Sequence, residues 1–417
     1  MTDQAVRNPP LALDRQDERL RHDAGVRGAL RGFVDRVRAG DVGVLPVAVG
    51  LVIICTVFQT LNPIFLSSAN LVNLTLECAP VGVIALGIVC ILLVAEIDLS
   101  VGSVSGLAAA ILAVLLVDQG LPLGVALLAA IATGSAIGLL YSQIFLRFGI
   151  PSFVITLAGL LSFLGLQIYV LGAAGSINLP FDSPLVRFAQ TAFVPAWLSY
   201  VLVGLAAAGL FASGYAQIRE RRHRGLSHGT LRGLAIRSVL VLAGVGFAVH
   251  YLNRTRGVGW MFVLFVALVL VMHYMLSRTA WGRAMYAVGG NAEAARRAGI
   301  KVNAIYTSAF VLVSTFAAVG GVLAAARLAA ANQSSGGGDV NLNAIAAAVI
   351  GGTSLFGGRG TAFAALLGVL VIQSISSGLT LLNLDSAFRF IVTGVVLLLA
   401  VAIDSISRRS RSSHGTA

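Results

Sequence analysis

Long apolar stretches separated by short polar breaks organise most of the chain. No charged side chain occurs between Asp41 and Glu77, between Arg147 and Asp182, or between Lys301 and Arg327. Each interval has room for the roughly 20 apolar residues that a helix needs to cross a hydrocarbon core of about 30 Å. Read between the breaks, the pattern predicts twelve candidate spans, starting near Val42, Val72, Ser103, Pro122, Phe153, Trp197, Ser238, Val258, Val302, Leu342, Ala362 and Ala387. The third, sixth, seventh and tenth look short. A bilayer tolerates tilted, re-entrant or broken helices only where protein or a water-filled cavity covers the backbone. The expected fold class is all-α, a polytopic transmembrane helical bundle of about 10–12 spans including short or broken helices.

Composition supports this reading. Apolar residues make up 57% of the chain and charged residues 11%, against about 25% charged in a soluble domain. A soluble core of this size would lack a polar coat. The 47 glycines suit close helix packing, and Gly134 and Gly138 form a GxxxG pair. In so Gly-rich a chain such spacings arise by chance, so the pair on its own is given no special role. Residues 1–41 read as a charged cytosolic tail, because charges from Asp3 to Asp41 run far beyond the n-region of a signal peptide. Residues 42–404 form the membrane domain and residues 405–417 a second cytosolic tail.

The basic residues set a topology. With the amino terminus inside, all but Arg187, Arg254, Arg256, Arg327 and Arg389 of the 29 Lys and Arg fall on the cytosolic side. That asymmetry follows the positive-inside rule and places both termini in the cytosol, with an Arg-rich cytosolic loop at 214–237. The net charge of +12 then reflects attraction to an anionic membrane surface, with membrane lipid as the partner and no nucleic acid. The Arg219, Arg221, Arg222 and Arg224 cluster takes the same topological reading.

Three polar segments interrupt the apolar pattern in an informative way. In Ala287–Ile300, AVGGNAEAARRAGI, Asn291 is a candidate N-cap, Glu293 suits the positive start of a helix, Arg296 and Arg297 its negative end, and Gly299 its stop. So short a helix is marginal alone in water and calls for a docking surface. In Ala95–Ser103, AEIDLSVGS, Glu96 and Asp98 follow a long apolar run. Ionisable groups at membrane depth are costly and often functional, while capping of the next helix by Asp98 or Ser100 explains them equally well. Gly351–Thr361, GGTSLFGGRGT, is rich enough in glycine to resemble a phosphate loop. The only lysine, Lys301, lies in GIKV, so no GxxxxGK[ST] nucleotide motif exists and the glycines read as a tight break between packed spans. Cys55, Cys78 and Cys90 have no CxxC spacing and read as packing residues, and no metal site is expected. No catalytic nucleophile, base or paired ligand set emerges, so no enzyme is expected.

These segments, together with PSFVITLAG at Pro151–Gly159 and LNAIAAAVIGGTSLFGG at Leu342–Gly358, resemble permeases of ribose/xylose-type ABC importers. The matches occur in the family's order across most of the membrane region. AEIDLSVGS in place of the commoner GGIDLSVGS, and the added Arg-rich segment between Gly214 and Arg237, look closest to xylose permeases. The resemblance implies an ABC importer permease for a monosaccharide such as D-xylose, in the bacterial inner membrane. It implies no cofactor bound by this chain, with ATP used by partner ATPase subunits. Its implied partners are a cytosolic ABC ATPase, an extracytoplasmic sugar-binding protein and a second permease copy in a homodimer.

Under that resemblance the segment 278–301 is the coupling segment, with Gly289, Gly290, Asn291, Glu293, Ala294, Arg296, Arg297 and Gly299 in the ATPase groove. Glu96, Asp98, Ser100, Gly102, Ser103, Gly351, Gly352, Thr353 and Ser354 are family-motif and gate candidates. A neutral sugar calls for hydroxyl and amide groups in its path, and Gln143, Ser152, Thr156 and Gln167 are candidates, each of which also suits helix–helix hydrogen bonding. The alternative reading is a secondary carrier or facilitator for a small polar solute, which a requirement for a partner ATPase would separate from an importer.

Overall fold

The computed structural model describes residues 45–226, 230–337 and 339–384, with isolated positions from 387 to 398. The two tails, residues 1–41 and 405–417, lie outside the described residues, as does most of the twelfth candidate span near Ala387. Nine helices among the described residues are long and apolar enough to cross a membrane. The chain is a polytopic helical membrane protein. Its described residues divide into two compact units, Val194–Gly257 and the parts of Val42–Arg409 that flank it.

The larger unit opens with α1 (Leu45–Leu61) and α2 (Ser68–Leu93). At about 1.5 Å per residue, the 26 residues of α2 span about 39 Å, more than the bilayer core. The Ser67 side chain caps its start by accepting from the Asn70 N–H at 3.3 Å. Helix α3 (Val101–Ala113) runs into a π-helical turn at Val114–Asp118. Then α4 (Leu123–Phe148) stops at Gly149, whose φ of 64° suits only a residue without a Cβ penalty. Helix α5 (Ser152–Leu171) follows directly.

A two-stranded antiparallel ribbon pairs β1 (Ser176–Asn178) with β2 (Ala330–Asn332), in the register Ile177 opposite Ala331. A short helix, α6 (Pro184–Gln190), buries Leu185, Val186 and Ala189. The hydrophobic pattern foresaw neither α6 nor the ribbon, because both are shorter than a span and interrupt loops.

The smaller unit holds the hairpin of α7 (Ala196–His223) and α8 (Leu231–Leu252). These are the sixth and seventh candidate spans, expected to be short. At 28 and 22 residues they are full length, because the basic and polar residues that ended the apolar runs continue the helices past the apolar windows. Tyr200 Oη and His250 Nδ1 lie 2.9 Å apart, and Asn253 donates to Ser199 Oγ at 3.0 Å, tying the two helices together.

The larger unit resumes with α9 (Trp260–Arg278), two short helices α10 (Ala280–Gly290) and α11 (Ala292–Arg297), and α12 (Val302–Leu328). It continues through α13 (Asp339–Ile350) to α14 (Phe363–Leu381). The tenth candidate span is therefore α13, 12 residues long and too short to cross.

Helix α12 is packed by α2, α3 and α4. Close approach there depends on missing side chains. A Cβ on Gly321 would overlap the Ser105 backbone of α3, and Cβ atoms on Gly134 and Gly138 would overlap Ser314 and Phe310 of α12. The GxxxG pair thus has a packing role that spacing alone did not distinguish from chance. Burial grades outward. The most apolar window of α2 is 89% buried and those of α4 and α5 only 28%, leaving side chains such as Leu128 of α4 and Leu161 of α5 71% and 66% exposed. Surfaces of this kind suit lipid and not water.

Candidate functional site

Three of the segments singled out in the sequence meet at one end of the larger unit. Helix α2 ends at Val94, and Ala95 adopts a left-handed φ of 64° while its N–H returns to Leu92 O at 2.9 Å. The Gly351–Thr361 loop folds on itself, Ser354 N–H donating to Arg359 O at 3.0 Å, and reaches α2 where Gly358 N–H donates to Leu93 O at 2.9 Å. The last turn of α10 closes the junction. A Cβ on Gly289 would overlap both the Leu93 carbonyl and the Gly358 N–H, and Tyr286 Oη donates to Gly360 O at 2.8 Å. Gly357, at φ 81°, faces the Ala95 Cβ and the Gly289 carbonyl. Backbone meets backbone here, so a displacement of α10 bears directly on the end of α2.

Helix α11 projects from this junction. Asn291 Oδ1 accepts from Ala294 N–H at 2.9 Å, and Gly299 at φ 83° ends the helix. Glu293 pairs with Arg296 and Arg297, each at 3.2 Å, and the three side chains are 58–80% exposed. Exposed pairs of this sort contribute about 0–1 kcal/mol, so they hold the fold together weakly while presenting charge to solvent. Ala295 is the one buried residue of α11. The capping signals pointed to a single short helix; the structure places α10 immediately before it, and Asn291 serves both as the C-cap of one and the N-cap of the other.

The Ala95–Ser103 segment is the link into α3. Asp98 is fully buried, and its Oδ1 accepts from both Ser100 N–H and Ser100 Oγ–H at 2.7 Å. Ser100 Oγ in turn accepts from Tyr141 Oη–H at 2.7 Å. Ser100 holds the N-cap position of α3 without a capping side-chain bond, its hydroxyl being committed to Asp98 and Tyr141. The N–H of Gly102 is satisfied instead by Asn341 Oδ1 from α13, and Ser103 Oγ donates to Ser100 O at 2.9 Å. Burial pushes the Asp98 carboxyl up to about 6 against the opposing bonds from Ser100, and burial also raises Glu96.

Of the four path candidates, Ser152 and Thr156 grip this link, accepting from Ile97 N–H at 3.3 Å and from Leu99 N–H at 3.1 Å. Gln167 lies elsewhere, its Nε2 donating to Asn332 O and Ser335 O, both at 2.9 Å, beyond the ribbon. Gln143 is exposed on α4 and joins neither group. Gly351 packs on the Ala364 backbone, Gly352 takes a φ of 103°, and the buried Thr353 hydroxyl has no hydrogen-bond partner among the described residues. Tyr141, Tyr286 and Asn341 were missed by sequence reasoning. Tyr141 is a polar group inside an apolar run, and Asn341 and Tyr286 each lie one residue before a quoted segment, Leu342–Gly358 and Ala287–Ile300, so position was the only available signal.

Apolar spans around a tightly packed end with an exposed charged helix define a polytopic membrane protein. The family described as branched-chain amino acid transport system / permease component matches residues 70–401, and the chain belongs to it, as a transport subunit and not an enzyme. The xylose transport system permease protein of Escherichia coli K12 is 35% identical over 84% of this chain and 88% of that protein. The xylose transport system permease protein of Haemophilus influenzae KW20 is 34% identical over 83% and 91%. The ribose import permease protein of Escherichia coli K12 is 30% identical over 86% and 92%. No solved structure matches.

Proposed function

We propose that this chain is the membrane-spanning permease of an ATP-driven importer for a monosaccharide, D-xylose or a close relative, in the bacterial inner membrane. The similarity to xylose and ribose permeases over most of the chain supports a sugar as cargo, and the higher identity to the xylose proteins favours a pentose of that type. Charge asymmetry along the sequence favours the α10–α11 end as cytosolic, with both termini on that side.

The observation that carries the mechanism is the Gly289 contact with Leu93 and Gly358. An ATPase groove receiving α11, with Glu293 and Arg297 at its surface, would push on α10. The push passes through Gly289 to the end of α2 and to the 351–361 loop, and from there to the Asp98–Ser100 link that starts α3. Two permease copies would form the path, two ATPases would drive it, and an external binding protein would deliver the sugar. No covalent bond of the sugar changes. This chain supplies no nucleotide site; ATP belongs to the partner subunits.

Reconstitution of the chain with its ATPase and binding protein, followed by parallel uptake of xylose, ribose and other monosaccharides, tests the cargo. Xylose should be taken up fastest. Preference for an unrelated solute would defeat the assignment.

A further inference from the structure

The turn end of the α7–α8 hairpin concentrates charge that the coupling route does not use. Residues 214–237 hold six arginines and a single acid, Glu220. Glu220 pairs with Arg224 at 2.6 Å. Among the described residues no carboxylate pairs with Arg219, Arg222 or Arg237. The flanks of the hairpin are apolar and open, since only 17% and 6% of the most apolar windows of α7 and α8 are buried. Such flanks suit lipid.

The opposite end of the hairpin fixes the depth of these cations. There Tyr200 meets His250, Asn253 meets Ser199, and Trp197 and Tyr200 are exposed, as befits a membrane boundary. At about 1.5 Å per residue, Arg219 stands about 30 Å from Ser199, the thickness of a hydrocarbon core, with Arg222 just beyond it. These two arginines therefore lie at the second boundary. Arg237 is exposed and stands about 24 Å from Asn253 along α8, just inside that boundary. A guanidinium there extends its stem along apolar surface and brings its charge up to the headgroups.

The approach to the arginine pair is aromatic. Phe211, Tyr215 and Arg219 succeed one another at four-residue spacing, and Arg222 follows three residues later, so all four share one side of α7. The Phe211 and Tyr215 rings are stacked with centroids 6.5 Å apart, and both are exposed. The neighbouring helix meets α7 at Gly214, where a Cβ would overlap Leu234, and leaves this stripe uncovered.

We propose that the stripe binds an anionic phospholipid, with Arg219 and Arg222 holding the headgroup phosphate and Phe211 and Tyr215 carrying the start of an acyl chain. The guanidinium fork matches phosphate oxygens in pairs, and Arg237 adds positive charge beside them. Positive-inside topology asks only for cations at the boundary. Rings that run directly into cations match a ligand charged at one end and apolar along the rest, and this holds whatever the cargo of the transporter.

The full chain in neutral detergent, titrated with phosphatidylglycerol or phosphatidylcholine of matched acyl chains and followed by native mass spectrometry, provides the test. Phosphatidylglycerol should bind at least tenfold more tightly, and excess inorganic phosphate should not displace it. Arg219→Gln with Arg222→Gln should abolish the preference, whereas Arg278→Gln with Arg283→Gln, an equal change of charge beside the end of α9, should keep it. Phe211→Ala with Tyr215→Ala should weaken binding several-fold at unchanged charge. Should the arginine pair fail to fold, Arg222→Gln alone should still weaken phosphatidylglycerol at least threefold. Equal losses in the two arginine pairs would show boundary charge alone and overturn the site, and displacement by inorganic phosphate would overturn the lipid assignment. Undiminished phosphatidylglycerol binding after loss of Arg219 and Arg222, with loss of ATPase co-purification, would give the surface to a protein partner instead.

Discussion

Gly358 donates its backbone N–H to the carbonyl of Leu93 at 2.9 Å, binding the glycine-rich loop to the end of α2 at the point where Gly289 leaves no room for a side chain. Gly289→Val should therefore force these backbones apart, lowering ATP-coupled uptake at least tenfold. Gly165→Ala, on the exposed face of α5, is the matched control, because nothing lies within 4 Å of a Cβ there and alanine favours helix by about 1 kcal/mol over glycine. Uptake and ATP hydrolysis in proteoliposomes check both. Equal activity of the two variants would remove Gly289 from the coupling route.

Ala95 pays a conformational cost that glycine would not. Its φ of 64° lies in the left-handed region, which disfavours a residue bearing Cβ by about 1–2 kcal/mol. Ala95→Gly, restoring the first residue of the commoner GGIDLSVGS form, should raise the melting temperature in detergent by a few degrees. A lowered melting temperature would show that the Ala95 Cβ contact with Gly357 outweighs the strain.

Asp98 gives the link a pH dependence of known sign. Its carboxyl is held near 6 in the folded protein, above the ordinary value of about 3.9, so the native state binds the proton more tightly than the unfolded chain. The stability linked to that proton is full below about pH 4 and is lost as pH rises through 6, a change of about 3 kcal/mol. Asp98→Asn keeps an oxygen for Ser100 and carries no titrating charge. Its melting temperature relative to the native chain should rise from pH 4.5 to pH 8. Parallel curves across that range would contradict a protonated, buried Asp98.

The exposed pairs on α11 should matter for coupling and little for stability. Glu293→Ala together with Arg297→Ala should shift unfolding by less than about 1 kcal/mol while lowering transport-coupled ATP hydrolysis several-fold. Co-purification with the ATPase and a coupled ATPase assay separate these effects. Unimpaired coupling would place the ATPase contact elsewhere.

Much of this architecture was legible in advance because lipid imposes a simple rule, that backbone polar groups must be satisfied within a span. Spans beginning near Pro122, Phe153, Val302 and Ala362 correspond to α4, α5, α12 and α14 to within a residue. The rule is silent where a helix continues past its apolar window, as α7 does through Arg219–His223, and where loops build α6 and the ribbon. The capped helix α11 was readable from Asn291 and Gly299, since caps are local chemistry. Its attachment was not, because the Leu93–Gly289–Gly358 junction consists of backbone groups far apart in sequence. Gln167 and Gln143 show the same limit: residue type marked them as polar in apolar runs, but only the fold separates one buried beside the ribbon from one exposed on α4.

The central claim is that this permease moves sugar only when a separate ATPase drives it. Sugar uptake into proteoliposomes, measured for the chain with ATPase, ATP and binding protein and for the chain alone, tests that claim most directly. The account predicts concentrative uptake in the complete system and none by the chain alone. Uptake by the chain without nucleotide or ATPase would contradict it and establish a carrier or facilitator.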